Sequence, residues 1–311
     1  NATIVRIAGN SLDHLVLAGD RNVSITEAFV LGADSAPGSD GLDSIDASAV
    51  EGNLSLSLSG TAVGSGFDFT ASQGATTLTL NDVTAGAHSS FTAEDAATFN
   101  IVATGNNNLS AATLENVDTI SLGKPGDNTA SSVTLSAAQA LDVGLANIKL
   151  GHPGLDGTLN LVNLGSQAFD ATTLGAGVEL GTVTIAAGNV TLNAGTVLTG
   201  ATVTVEAGST LTLTADQYMA LANLDGVAAG ATIHITGLTQ AHIDAGFDLA
   251  NVSNATGTIS LAESVNLAAG TDPTDLNGFS VILAAGQTLG VATFEQANGL
   301  VVNCAADSAI K

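Results

Sequence analysis

The stretch from Val178 to Thr214, VELGTVTIAAGNVTLNAGTVLTGATVTVEAGSTLTLT, decides the fold. Short runs of Thr, Val, Ile and Leu (Thr182–Ile185, Val190–Leu192, Thr196–Leu198, Thr202–Val205 and Thr210–Leu213) alternate with Ala-Gly, Ala-Gly-Asn and Gly-Ala corners. Inside most runs, apolar and polar residues alternate with period two, the pattern of a half-buried strand. Each run ends at small residues, where a tight bend meets little steric hindrance. The centres Val183, Val190, Val197, Val203 and Leu211 fall six to eight residues apart, and Thr182-Val183-Thr184 recurs 20 residues later as Thr202-Val203-Thr204. Three short strands per coil and about twenty residues per turn describe a solenoid. The fold expected is all-β: a right-handed parallel β-solenoid (β-helix) with short helical turns at some corners. Val183, Val190, Val203 and Leu211 should face a narrow core, with the flanking threonines outward. The competing architecture is a sandwich with many Ala-Gly turns.

Composition supports the coil. The 311 residues include 36 Gly, no Trp, one Tyr and one Met. A globular core of this size normally uses aromatics to fill irregular volume, whereas stacked coils need only layers of Val, Ile, Leu and Ala. Five Lys plus Arg stand against 29 Asp plus Glu, a formal net charge of −24. That excess excludes nucleic acid as a partner, since no cationic footprint exists to neutralise phosphates. It disfavours an anionic membrane surface, opposes edge-to-edge sticking and makes a divalent cation the natural charge partner. Cys304 is the single cysteine, so there is neither an internal disulfide nor a cysteine-rich zinc site. No run of eighteen apolar residues is present, so no transmembrane segment is expected. The opening NATIVRIAGN has no basic start or apolar signal region, as in a processed chain or a piece of a longer one.

Along the chain, strands are expected at Thr3–Ile7, Leu15–Leu17, Val23–Ile25, Leu54–Leu58, Phe67–Phe69, Thr77–Leu80, Phe99–Val102, Thr119–Leu122, Thr258–Leu261, Ser280–Leu283 and Leu300–Val302. Thr134–Gln139 and Thr212–Gln217 resemble each other: in both, a strand ends at a Ser or Thr suited to N-cap an Ala-containing helical turn. Thr239–Ile243 is a third such corner. Residues 1–311 form one continuous repetitive solenoid in this reading, with a soft seam near 123–127. At about twenty residues per coil the chain makes roughly fifteen coils, a rod on the order of 70 Å long.

Leu15–Ile25, Leu42–Ser48 and Gly52–Leu56 together resemble the repetitive regions of bacterial surface-layer proteins and of large secreted adhesins of the RTX type. The resemblance implies an extracellular structural role at the bacterial cell surface, assembly with copies of itself, and calcium as cofactor. The RTX calcium repeat is Gly-Gly-x-Gly-x-Asp-x-apolar-x, whose turn offers carbonyls and a carboxylate to the ion. Gly38 to Asp46 fits it except that Ser39 replaces the second Gly, and Gly151 to Asp156 matches more loosely. Neither has the tandem partner that the repeat uses. The candidate metal ligands are therefore Asp40, Asp43 and Asp46, with Asp43 central and Asp46 weakest; the alternative is an acidic turn in water.

Other functional classes leave weaker traces. The Thr-x-Thr pairs (Thr182 with Thr184, Thr202 with Thr204, Thr210 with Thr212) are the pattern of a flat ice-binding face, but Thr191 stands without a partner and Leu198 breaks the next strand. His14, His88, His152, His234 and His242 are scattered, with no His-Glu-x-x-His, no Gly-x-Ser-x-Gly elbow and no phosphate loop. A solenoid enzyme acting on polysaccharide needs an aromatic-lined groove that this composition can hardly build, so no catalytic role is assigned. Adhesin spacing or binding, with a cell-surface polysaccharide as a possible partner, is the alternative to self-assembly.

Overall fold

The computed structural model describes residues 2–4, 13–25, 29–30, 42–59, 66–94, 97–127, 129–186, 188–226, 230–249, 252–267, 276, 279–291 and 300–311. They form a parallel β-solenoid of about 11 turns with three short α-helices. By contact the chain divides into two compact units, Asn1–Val162 with Thr173–Glu179, and Asn163–Thr172 with Leu180–Lys311. Residues 123–127 lie inside the first unit.

In the first unit one sheet stacks Ala2–Ile4, Val23–Ile25, Leu54–Ser59, Thr76–Asn81, Phe99–Thr104, Thr119–Leu122 and Ile148–Leu150. A second stacks His14–Gly19, Ser44–Val50, Asp68–Thr70, Ser90–Thr92 and Thr113–Glu115. The third face carries Asn106–Asn108, Ser131–Ser136 and Gly157–Val162. The pairings are parallel because each coil returns the chain in the same direction. A sandwich, built of antiparallel sheets, is thereby excluded.

Register follows the period-two pattern. Leu56, Leu78, Ile101, Ile120 and Ile148 form one inward column, and Leu58, Leu80, Ala103 and Leu122 form the next, all buried. A one-residue slip in any coil would turn its apolar set to water, so the pattern pins the stack. Phenylalanines fill part of this unit's core, where Phe67 packs on Phe91 with ring centroids 5.9 Å apart and Phe69 on Phe99 at 5.5 Å. Thr76 interrupts an apolar column at full burial, and its Oγ1 is satisfied by the Ser72 backbone N–H (3.0 Å) and hydroxyl (2.8 Å).

In the second unit Thr182-Val183-Thr184 lies directly beside Thr202-Val203-Thr204, as the 20-residue recurrence predicts. Val183, Val203 and Leu224 form a fully buried column that continues to Val252. On another face Leu213, Ile235, Ile259 and Val281 do the same. Gly257 sits beside Ile233 where a Cβ would fall 1.7 Å from the Ile233 carbonyl oxygen and 2.7 Å from the Phe279 ring. Only glycine admits that approach.

Three details depart from the expected pattern. The step between neighbouring strands is not constant: it runs from 19 residues (Asn100 beside Thr119) to 31 (Val23 beside Leu54). Corner helices and loops lengthen several coils, so the chain makes about 11 turns rather than fifteen. Val190 is only half-buried, because its strand Asn189–Thr191 stands at the end of its sheet with a single neighbour there. At Thr196–Leu198 the alternation is reversed from the outward-threonine rule: Thr196 and Leu198 are buried and Val197 is half-exposed. Thr196 tolerates burial because its hydroxyl donates to the Gln167 carbonyl (3.1 Å) and accepts from the Phe169 N–H (3.4 Å).

All three helical corners form where the Ser and Thr caps place them: α1 is Ala137–Val143, α2 is Ala215–Met219 and α3 is Gln240–Asp244. Each is closed by a capping box, in which the cap hydroxyl accepts from the third helical residue and that residue's side chain accepts the cap N–H. In α1, Gln139 Oε1 accepts the Ser136 N–H at 2.7 Å while its Nε2 donates to the Leu109 (2.9 Å) and Ala112 (2.6 Å) carbonyls of the preceding coil. In α2, Gln217 repeats the arrangement toward the Asn193 (2.8 Å) and Thr196 (3.1 Å) carbonyls. One amide thus closes a helix and braces the coil before it.

Candidate functional site

The acidic turn is the first place to look. Asp40 lies outside the described residues. Asp43 is exposed just before the strand Ser44–Val50; its N–H donates to the Asp13 carbonyl (2.7 Å) and its carbonyl accepts from the Asp68 N–H (2.9 Å). Asp46 lies outward on that strand, between the buried Ile45 and Ala47, beside Val16 on one side and Thr70 on the other. Its Oδ1 accepts the Ser48 N–H at 2.9 Å. Hydrogen bonds from the Ser48 side chain and backbone hold its carboxyl below the usual carboxylate range against a small opposing effect of burial.

The carboxylates are hard oxygen donors suited to calcium. However, no group of three or more His, Cys, Asp or Glu among the described residues is placed to hold a metal ion. The looser match, Gly151 to Asp156, forms the turn between Ile148–Leu150 and Gly157–Val162; Asp156 is exposed, and its carbonyl accepts the Ser131 N–H (3.2 Å).

The outward faces are more regular. In the second unit the strands Asn189–Thr191, Thr210–Thr214, Ala231–Leu238, Ala255–Leu261, Ser280–Leu283 and Val302–Cys304 form one sheet. Asn189, Thr210, Thr232 and Thr256 make one outward column, and Thr191, Thr212, His234, Thr258 and Ser280 make its neighbour. Strand spacing sets these groups about 4.8 Å apart along a column and about 6.6 Å apart across the two. The columns hold no carboxylate, ammonium or guanidinium group, and His234 Nδ1 bonds the Thr258 hydroxyl at 2.8 Å.

Within its strand Thr191 has Asn189 rather than a second Thr, and its ladder neighbour is Thr212 of the next coil; the buried Leu198 is not on this face. A fixed 20-residue step hides the array, since its members recur at intervals of 21, 22 and 24 residues. Allowing the step to vary with corner length would have aligned them.

A small pocket of about 130 Å³ is lined by Tyr218, Met219, Leu221, Leu224, Phe247 and Asp248, among others. Tyr218 packs on Phe247 (5.4 Å between centroids) and donates its hydroxyl to the Asp248 carbonyl at 2.7 Å. Burial, then the Asp248 charge, pushes its phenol well above the ordinary tyrosine range. The hydroxyl is a structural donor there, poorly suited to proton transfer. The histidines are held apart: His14 Nδ1 bonds Ser44 Oγ (2.8 Å) on one coil face, His234 lies on the threonine array, and His242 belongs to α3.

Among the described residues no helix is long and apolar enough to cross a membrane. No family model matches the chain, and neither a curated protein nor a solved structure matches it. The fold accordingly defines the class: a parallel β-solenoid whose outward faces are rich in Ser, Thr and Asn.

Proposed function

We propose that the chain is an extracellular structural segment of a bacterial surface layer or fibre, non-enzymatic and assembling with copies of itself. The observation that carries this proposal is the in-register parallel stacking that runs through each unit, with polar columns outward and apolar columns inward. Such coils add length by repetition and present edge strands whose backbone groups pair with any further coil of the same geometry. Calcium assistance at the Asp40, Asp43 and Asp46 turn belongs to the same proposal: it would offset part of a −24 charge that otherwise opposes close packing of copies. Electron microscopy of the purified protein with and without calcium tests it. Lattices or filaments are expected; persistent monomers under both conditions would leave an adhesin spacer, with a cell-surface polysaccharide as ligand, in its place.

The double column of threonines supports a second activity, ordering of water into an ice-like layer. A regular grid of hydroxyl and methyl groups suits that task, and the columns Thr191–Thr212–His234–Thr258 and Thr210–Thr232–Thr256 supply one interrupted at His234. Ice crystals grown in the protein should be faceted, and Thr212→Lys with Thr232→Lys should restore unshaped growth. Unshaped crystals with the parent protein exclude this activity.

A further inference from the structure

α1 and α2 close their capping boxes with glutamine, Gln139 and Gln217, whereas α3 closes its box with His242. An amide cannot change its protonation near neutral pH; an imidazole can. His242 Nδ1 lies 3.0 Å from the Thr239 backbone N–H and 2.7 Å from the Thr239 hydroxyl. Its Nε2 lies 2.9 Å from Asp216 Oδ1, on the helix of the preceding coil. A backbone N–H only donates, so Nδ1 must be the bare, accepting nitrogen, and Nε2 carries the proton toward the carboxylate. The hydrogen bonds leave one tautomer. The ring occupies the place of Gln217 and does both of its tasks, closing its own helix and tying it to the coil before.

We propose that the α3 corner is a pH-sensitive latch, in which protonation of His242 breaks the half of the capping box that holds the Thr239 N–H. A proton added at Nδ1 turns the acceptor into a donor that faces the Thr239 N–H. The Thr239 hydroxyl can rotate to accept the new N–H; the amide cannot, and it loses its partner. Rotating the ring does not help, because both nitrogens of the cation are donors.

Among the described residues, the surrounding charges are carboxylates. Asp216 of α2 meets the ring. Asp244 of α3 and Glu263 of the following coil are engaged by Gln240, through its Nε2 (2.9 Å) and its backbone N–H (2.8 Å) respectively. The strand Val265–Asn266 packed against α3 brings no titratable side chain. Asp248 lies beyond the helix, where its carbonyl holds Tyr218. Asp216 draws the cation toward itself, but at 88% side-chain exposure its pull is screened by water, and it bonds Nε2 in both protonation states. The latch thus keeps its tie to α2 and the bond from the His242 N–H to the Thr239 hydroxyl (3.4 Å), and loses the other half of its capping box. The device does not depend on which assembly the coils serve.

Amide exchange on the full chain tests this, read as protection factors so that the intrinsic pH dependence cancels. As the His242 ring titrates, followed by its own Cε1–H resonance, protection of the Thr239 amide should fall about five- to tenfold, the worth of one hydrogen bond. The Ser136 and Thr214 amides, capped by glutamine, should keep theirs over the same interval. His242→Gln should hold Thr239 protected at both ends of the titration. Unchanged Thr239 protection while the ring titrates would overturn the latch. So would an equal loss in His242→Gln, or ring 15N shifts that place the neutral proton on Nδ1.

Discussion

Val203 is fully buried between Val183 and Leu224 in its column, with Thr202 and Thr204 turned outward on either side. Val203→Asp would set a carboxylate in a dry, narrow core with no cation to meet it, and should cost several kcal/mol in thermal unfolding. Thr204→Asp, one residue away on the open face, should cost far less. At the acidic turn, Asp43→Asn should lower calcium uptake in a calorimetric titration, since it removes an exposed carboxylate from the proposed site. Equal uptake by parent and variant would leave the turn as a solvated loop. Asp46 gives a pH dependence of known sign. Its folded value is lowered by Ser48, so its stabilisation is complete above the unfolded carboxylate's titration and is lost as pH falls through the folded value. Ser48→Ala should therefore move the onset of acid unfolding to slightly higher pH. The shift is small because water screens an open carboxylate.

The helical corners show how one element can serve two coils. Gln139 is buried, and its removal would leave the Ala112 carbonyl of the preceding coil without its donor and the Leu109 carbonyl with the Ala112 N–H alone. Gln139→Ala should destabilise by about 2 kcal/mol, combining the lost side-chain half of the capping box with an unpaired Ala112 carbonyl. Gln217→Ala should cost less, because Gln217 is partly open and water can replace it. Denaturant titration of the two variants compares them, and equal losses would mean that burial of the brace does not matter. The corner positions were legible from Thr134–Gln139 and Thr212–Gln217, since a strand ending at Ser or Thr before Gln is a local signal. The brace was not: its acceptors lie 21 to 30 residues earlier in the chain.

Across the whole chain, a net charge of −24 repels every other copy. Added salt should screen that repulsion and favour association, seen as a rising sedimentation coefficient across ionic strengths. A coefficient that falls steadily with salt would point instead to specific charge pairing between copies.

Period-two alternation and small-residue corners made the solenoid legible in the sequence, because both are local and repeat along the chain; the parallel pairings then excluded the sandwich. The match of Thr182–Thr184 to Thr202–Thr204 was equally visible, since no helix lengthens that coil. Where corner helices or loops change the step, sequence spacing no longer gives register. Only the tertiary structure could set Thr191 beside Thr212, reverse the facing of Thr196 and Val197, and bring His242 to Asp216. The reason is that a residue's neighbour in a solenoid is chosen by the length of the whole intervening coil, which the residues on either strand do not encode.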